Sequence, residues 1–246
     1  MVGRYRRKTG LFAACLFFIG GCDAGWEQKA EEDYRRGEEA RLAGHWLEAQ
    51  TRYLKALAVN PYHATANLRL AELYDTRLFT EKGASALAVI YYRRFLELPT
   101  NDSRLARQVE NIAAVLERIA AGTLEDPADA VADFLAAARA GAERTFTERL
   151  DARLVHQLSL RDTSIGKHLQ TWRNRLEGRT CHFTERWVDE GTGKSAAVTV
   201  EIRGDPAGVI VWIIHLRLAE TNTWEIAGYD YPDTSPPISE QERKGS

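Results

Sequence analysis

The stretch GHWLEAQTRYLKALAVNPYHATANLRLAELY, residues 44–74, decides the fold of the first half of this 246-residue chain. Ala49, Tyr53 and Ala56 recur within it at the three- and four-residue spacing of one helix face. The two alanines allow a second helix to approach closely, and Tyr53 fills the space between the helices. A glycine turns the chain before this helix, and Pro61 ends it. The stretch therefore predicts a pair of helices packed through small residues.

The same residues resemble the tetratricopeptide repeat, whose period is about 34 residues. In the register of that family, one repeat begins at Ala30, with Gly37 at its small-residue position, and the next begins at Ala64. The second repeat departs from the pattern because residues 77–86 lengthen the turn between its helices. The resemblance implies about two repeats over residues 30–121, capped by a last helix. That last helix has apolar residues at helical spacing: Leu105, Val109, Ile112, Val115, Leu116 and Ile119.

Tetratricopeptide stacks bind extended peptides or helices on a concave face, so the resemblance implies a protein or peptide partner there. In this register the concave face carries seven residues, namely Glu31, Tyr34, Glu38, Arg41, Leu68, Glu72 and Asp75. Their mixed acidic and aromatic character favours a basic or amphipathic partner. The alternative is that they form an ordinary solvated helix face.

From residue 126 onward the hydrophobic period changes. Asp126 can cap a helix and Pro127 suits its first turn, and the apolar face that follows comprises Val131, Phe134, Leu135 and Ala138. Apolar and polar residues then alternate over residues 198–203, which predicts a strand. Residues 209–218 are apolar on both faces at first, which predicts a central strand, and residues 223–229 return as the last strand.

This order of elements over residues 126–232 resembles the nuclear transport factor 2-like family. The two resemblances together imply an α + (α+β) chain: a tetratricopeptide-like helical repeat followed by a cone-shaped domain of helices and a curved antiparallel sheet. In that family the cone holds an enzyme site, binds a small ligand or is filled as core. The titratable candidates there are Asp151, His215 and Tyr229, although a lone histidine in a strand more often faces solvent or makes one structural hydrogen bond. No catalytic motif of the family is matched.

Other motifs in the second half have structural explanations. The segment GTGKS, residues 191–195, ends like a phosphate-binding loop, but Val188 stands where that loop needs a glycine, so we expect a hairpin turn. We expect no metal site and no cofactor, because the histidines are not at ligand spacing: His156, His168 and His182. Four tryptophans are expected in the core: Trp172, Trp187, Trp212 and Trp224.

The N-terminus has the three parts of an export signal: a basic region, an apolar run over residues 11–19 and small residues. The run is shorter than the roughly 20 apolar residues of a membrane-spanning helix. It ends in Ile19, Gly20, Gly21 and Cys22, which resemble the bacterial lipobox. That resemblance implies removal of residues 1–21 and acylation of Cys22, where several acyl chains would hold the protein to a membrane.

These patterns predict the organisation and location of the chain. A tether over residues 22–29 would precede the repeats, and residues 233–246 would form a disordered polar tail. Asp23, directly after the cysteine, resembles a signal that favours the inner membrane, facing the periplasm, over the outer membrane. The formal net charge of −2 lacks the basic excess of a nucleic-acid binder. The leading interpretation is an envelope lipoprotein that acts as an interaction scaffold, and the alternative is a tethered ligand-binding protein or enzyme that uses the cone.

Replacing Cys22 by serine tests the anchor. Because the acyl chains attach to the cysteine sulfur, Cys22→Ser should abolish incorporation of labelled fatty acid and release or mislocalise the chain. Labelling and membrane fractionation measure this, with Cys15→Ser as the matched control that keeps both properties. A Cys22→Ser protein that is still acylated and cleaved normally contradicts the prediction.

Overall fold

The protein is described here by a computed structural model covering residues 23–99, 101–160, 164–189, 191–205 and 208–230. The chain divides into two compact units, Met1–Asn67 and Leu68–Ser246. The boundary expected between residues 121 and 126 falls inside the second unit and stays a prediction. The signal peptide, the lipidation site Cys22 and the tail over residues 233–246 lie outside the described residues.

Within these ranges the chain forms nine helices followed by four strands. The helices are α1 (Asp23–Leu42), α2 (Trp46–Val59), α3 (Ala64–Thr76), α4 (Ala84–Leu96), α5 (Ser103–Ala120), α6 (Pro127–Ala140), α7 (Glu143–Glu148), α8 (Ala152–Leu160) and α9 (Ile165–Leu176). The strands are β1 (Thr180–Val188), β2 (Ser195–Asp205), β3 (Gly208–Leu218) and β4 (Trp224–Asp230). The expected order of helices first and an antiparallel sheet last is confirmed, and the residues assigned to a tether after Cys22 belong to α1. None of the described helices is both long and apolar enough to cross a membrane.

In the first unit, α1 packs against α2 through the small residues that the spacing predicts. Ala49, Tyr53 and Ala56 of α2 are completely buried. A Cβ atom added to Gly37 of α1 would lie 2.5 Å from Cε1 of the Tyr53 ring, so only glycine allows this approach. Gly44 turns the chain between the two helices with φ +76°.

Helices α3 and α4 are joined by the long connection that the sequence predicts. Helix α3 ends at Thr76 and α4 begins only at Ala84. Helix α5 begins after Asp102, whose side chain accepts hydrogen bonds from the backbone N–H groups of Arg104 and Leu105, at 3.0 and 2.9 Å. This capping satisfies two N–H groups that no helical carbonyl reaches. Helix α5 packs against α4.

Helix α6 begins and ends where the sequence predicts. Asp126 accepts a hydrogen bond from the backbone N–H of Ala128 at 2.9 Å, and Pro127 occupies the first turn. The apolar face of α6 is buried against the sheet and α9, since Val131, Phe134, Leu135 and Ala138 are each at most 2% exposed. Glycine at position 141 closes the helix.

The strands form an antiparallel sheet in the order β1-β2-β3-β4. Val198, Val200 and Ile202 of β2 are fully buried, as their alternation predicts, and β3 lies between β2 and β4, as its apolar character predicts. Residues 191–194 of the segment GTGKS lie in the turn between β1 and β2, and Ser195 begins β2. There Asp189 accepts hydrogen bonds from the backbone of Gly191 and Thr192 at 3.2 and 3.1 Å.

Strand β1 carries a β-bulge that the sequence does not reveal. Its pairing with β2 shifts between Phe183 and Glu185. Side chains in a strand alternate between the two faces, so one inserted residue exchanges the faces of everything that follows it. Arg186 consequently points into the protein and is 0% exposed, whereas Trp187 points outward and is 43% exposed. The expectation that Trp187 is core is therefore wrong, while Trp172, Trp212 and Trp224 are buried as expected.

The buried Arg186 is surrounded by acceptors from α3, from α4 and from the residue that caps α6. Its guanidinium donates to the Asp75 carboxylate at 3.0 Å, to the Asp75 backbone oxygen at 3.2 Å and to Ser85 Oγ at 3.3 Å. It also donates to Asp126 Oδ2, and its Cζ lies 5.2 Å from the centre of the Phe79 ring. Burial raises the pKa of the Asp75 carboxyl, and the positive charge of Arg186 opposes that rise. Because most N–H groups of the Arg186 guanidinium have a hydrogen-bond acceptor, the protein tolerates this buried charge.

Arg186→Met tests this cluster. Methionine fills similar space but leaves Asp75 buried without its cation, so the free energy of unfolding should fall by about 3–5 kcal/mol. Urea denaturation of the full chain measures the loss. The double variant Arg186→Met/Asp75→Leu should recover part of it, because the buried Asp75 carboxylate is then removed together with its cation.

The matched control is Arg93→Met, which removes an ion pair with Glu117 whose side chains are 40% and 44% exposed. Exposed pairs contribute about 0–1 kcal/mol, so this variant should change little. Equal losses in Arg186→Met and Arg93→Met would show that Arg186 does not hold the fold together.

Candidate functional site

Four of the expected partner-binding residues lie on α1 in the first unit. Glu38 accepts hydrogen bonds from Arg41, at 2.9 and 3.1 Å, and from the Tyr53 hydroxyl. Burial raises the pKa of Tyr53, and the charge of Glu38 raises it further. The Tyr34 ring lies 6.0 Å from the Tyr53 ring, between centroids. These side chains therefore contribute to the packing of α1 on α2.

Glu31 differs from the other three because it is exposed. Its carboxylate lies 3.1 Å from Nε2 of His63, and its side chain is 68% exposed. The His63 ring also packs against Tyr34, with centroids 4.9 Å apart. Of the four residues on α1, Glu31 leaves the most carboxylate surface for a partner.

The other three expected residues come together in the second unit. Leu68, Glu72 and Asp75 of α3 line one cavity of about 190 Å³. The remaining lining residues come from α3, α4, α5 and β1, and they are Thr76, Tyr92, Leu105, Gln108, Val109, Ile112, Trp187 and Val188. We call this space the α3–α5 cavity.

The wall of the α3–α5 cavity is largely apolar. Leu105, Val109 and Ile112 present one face of α5 to it, and the exposed Trp187 lies at β1. In the sequence, the α5 residues are recognisable only as an apolar helix face. The exposure of Trp187 could not be predicted, because the bulge in β1 has no sequence signal.

The polar groups of the α3–α5 cavity differ in how firmly they are bound within the protein. The Asp75 side chain is 3% exposed and is held by Arg186. Glu72 forms an ion pair with Arg69 at 2.7 Å, and each of these side chains is 36% exposed. Because exposed ion pairs are weak and readily exchanged, Glu72 is the carboxylate that a partner can reach.

The three titratable candidates of the second half do not converge on one site. Asp151 is buried, forms an ion pair with Arg217 and accepts a hydrogen bond from the Arg153 backbone N–H at 2.6 Å. His215 lies on the outer face of β3, 2.9 Å from the Asp230 carboxylate. Tyr229 belongs to the inner face, because its register partner in β3 is Ile214.

Aromatic side chains fill the space between the helices and the inner face of the sheet. Trp172 of α9 makes edge contacts with Phe134, Trp212 and Tyr229, with ring centroids 4.9, 4.2 and 5.0 Å apart. Phe146 stacks on Phe134 at 4.8 Å. These contacts make the region around Tyr229 a packed core.

His168 of α9 is a buried histidine whose role the sequence did not indicate. Its Nε2 accepts a hydrogen bond from the Trp172 indole N–H at 3.3 Å and lies 3.1 Å from the Tyr229 hydroxyl. Burial lowers the pKa of His168 from its usual 6.5, and the charge of Arg175 lowers it further. A neutral ring that accepts at Nε2 suits this environment, so His168 has a structural role.

His168 makes stability depend on pH. The folded state disfavours the proton that an unfolded histidine binds below about pH 6.5, so the free energy of unfolding should fall as the pH drops through that value. The contribution is at most about 1.4 kcal/mol per pH unit. Urea denaturation of His168→Gln, which keeps an acceptor but cannot titrate, should give a shallower decline between about pH 7 and 5. Identical slopes for the two proteins would contradict this role.

Neither a search for metal-binding clusters in the described ranges nor a comparison with known proteins identifies further site residues. Within the described ranges, no three His, Cys, Asp or Glu side chains are grouped so that they could hold a metal ion. No protein-family profile, curated protein or solved structure matches the chain. The residues of the α3–α5 cavity are therefore the candidate functional site of the described chain.

Proposed function

We propose that the protein is a membrane-anchored envelope lipoprotein that acts as an interaction scaffold, and that its α3–α5 cavity binds an amphipathic, basic segment of a protein partner. The observation that carries the proposal is the combination of an exposed tryptophan, an apolar wall and one accessible carboxylate. Trp187, the α5 face and Glu72 supply these three features.

The size of the cavity favours an anchor side chain over a complete small ligand. Its volume of about 190 Å³ is below the roughly 300–1,000 Å³ of most small-ligand sites. A peptide helix or strand inserts one or two apolar side chains into such a space while the rest of the segment lies across the surface. Large aromatic residues at the centre of such contacts contribute most of the binding energy.

The charge of the cavity favours a basic residue beside that anchor. Glu72 is half-buried at the cavity wall, and its carboxylate already forms an ion pair with the guanidinium of Arg69. A lysine or arginine of the bound segment would replace Arg69 at Glu72. This exchange costs little because the Arg69–Glu72 pair is partly exposed.

We also propose the finer fold assignments that the sequence resemblances imply. Helices α1 to α5 would form tetratricopeptide-like repeats, and α6 to β4 a nuclear transport factor 2-like domain. The close approach of Gly37 to Tyr53 and the successive helices α1 to α5 support the first assignment, whereas the extended turn after Thr76 departs from the family pattern. The helix-first order, the antiparallel sheet and the aromatic layer beneath it support the second.

The proposed anchor would place this binding surface at the membrane. Acylated Cys22 would directly precede α1, which begins at Asp23. A tethered scaffold meets membrane partners at a raised effective concentration, so a weak interaction in the cavity would be sufficient. We place the protein at the periplasmic side of the inner membrane on the basis of Asp23.

A charge-swap experiment tests the proposed cavity. The probes are a designed amphipathic helical peptide of Leu, Ala and Lys and the same peptide with each Lys replaced by Glu, and fluorescence anisotropy with the full chain measures binding. The Lys peptide should bind more tightly, and Glu72→Lys should reverse the preference because the wall charge changes sign. Trp187→Ala should weaken binding of the Lys peptide by about tenfold or more, since an aromatic anchor is removed.

The matched control is Glu110→Lys, which makes the same charge change at an exposed position of α5 outside the cavity. It should leave the preference for the Lys peptide intact. If Glu110→Lys and Glu72→Lys have the same effect, or if Trp187→Ala binds normally, the cavity is not the binding site.

A further inference from the structure

Three arginines surround a second cavity, in a part of the second unit that the proposed function does not use. This cavity has a volume of about 460 Å³ and is lined by Arg139, Arg173, Leu176, Glu177, Gly178 and Arg179. These residues come from the last turns of α6 and α9 and from the connection between α9 and β1. We call it the arginine cavity.

Backbone and side-chain acceptors fix two of the guanidinium groups at the arginine cavity. Arg139 donates through Nη2 to the Arg179 backbone oxygen and to Cys181 Sγ, both at 3.0 Å. Arg179 donates through Nη1 to the Arg175 backbone oxygen at 2.7 Å. A guanidinium has five N–H groups, so Arg139 retains donors beyond the Nη2 group used here. Its orientation is set before any ligand arrives, which reduces the entropy lost on binding.

The third guanidinium lies at the end of α6. A Cβ atom added to Gly141, the residue that closes that helix, would lie 3.5 Å from Nη1 of Arg173. Carbonyl groups at a helix C-terminus carry partial negative charge, which favours a cation there. Arg173 is nevertheless an exposed residue, so its charge is accessible from solvent at the cavity.

The residues that line this cavity carry more positive than negative formal charge. Three arginines face one carboxylate, that of Glu177, so the lining carries a formal charge of 3 − 1 = +2. The chain as a whole has a formal net charge of −2. A concentration of positive charge in a concave site of a net acidic protein attracts anions and raises their local concentration.

We propose that the arginine cavity binds a phosphate-type oxyanion. Forked guanidinium N–H groups match phosphate oxygens in bidentate geometry, and several of them share the charge of one phosphate. The volume exceeds that of a bare ion, so the cavity accommodates a phosphate that carries a small polar substituent. Both free phosphate compounds and phospholipid headgroups provide this chemistry. The site lies in different residues from the α3–α5 cavity and does not depend on peptide binding there.

Two soluble probes distinguish the sources of the phosphate. One is inorganic phosphate, and the other is glycerophosphoglycerol, the deacylated headgroup of an anionic phospholipid. Calorimetric titration of the full chain at constant ionic strength, with chloride as the reference anion, measures binding. At least one probe should bind, and Arg173→Glu should weaken that binding by about tenfold or more because a charged hydrogen-bond donor is lost and a like charge is introduced.

Arg107→Glu is the matched control, since it makes the same charge change at an exposed position of α5 that does not line the cavity. It should bind the probe like the unaltered chain. Arg173→Gln removes the charge with less disturbance and should also weaken binding, with an unchanged unfolding temperature in the absence of the probe. Tighter binding of inorganic phosphate supports a free phosphate ligand, and tighter binding of glycerophosphoglycerol supports a headgroup. The proposal is overturned if neither probe binds or if Arg107→Glu loses as much affinity as Arg173→Glu.

Discussion

The burial of the Arg186 guanidinium is the constraint on which the second unit depends. A charge that is 0% exposed is tolerable only where acceptors surround it, and these come from α3, the start of α4 and the residue that caps α6. Asp126 has two roles. Its Oδ1 accepts a hydrogen bond from the backbone N–H of Ala128, and its Oδ2 accepts one from the Arg186 guanidinium. The start of α6 and the position of β1 are therefore coupled through one carboxylate. Loss of the cation would leave Asp75 buried and unpaired. The unpaired carboxylate would destabilise the folded state by more than the intact ion pair stabilises it.

The β-bulge at Phe183 and Glu185 connects this structural charge to the proposed binding surface. Strict alternation from Phe183 would place residue 187 inside and residue 186 outside. The inserted residue reverses both, so the arginine enters the core and the tryptophan reaches the α3–α5 cavity. Bulges commonly reorient side chains next to functional sites. In β1 one backbone irregularity produces the stabilising cluster and the exposed aromatic side chain together.

The parts of this fold that follow from local chemistry could be predicted, and the parts that depend on distant contacts could not. Helix α6 is recognisable from Asp126 and its apolar spacing, because capping and periodicity act within a few residues. The pairing of Arg186 with Asp75 joins residues 111 positions apart, which no local pattern encodes. The candidate site divides in the same way. The repeat register predicted that Leu68 and Glu72 lie on the binding face, whereas the position of Trp187 depends on the bulge.

The bonds within the protein also limit how a partner could be recognised. The register places several acidic groups on the expected binding face, but Glu38 bonds to Arg41 and Tyr53, and Asp75 is held by Arg186. At the α3–α5 cavity this leaves Glu72 as the accessible carboxylate, beside an extensive apolar wall. One partly exposed charge contributes little affinity and mainly selects the sign and orientation of the partner. In the proposed complex the affinity would therefore come from apolar burial at Trp187 and α5, and the cavity would select partners first by an apolar anchor and second by charge.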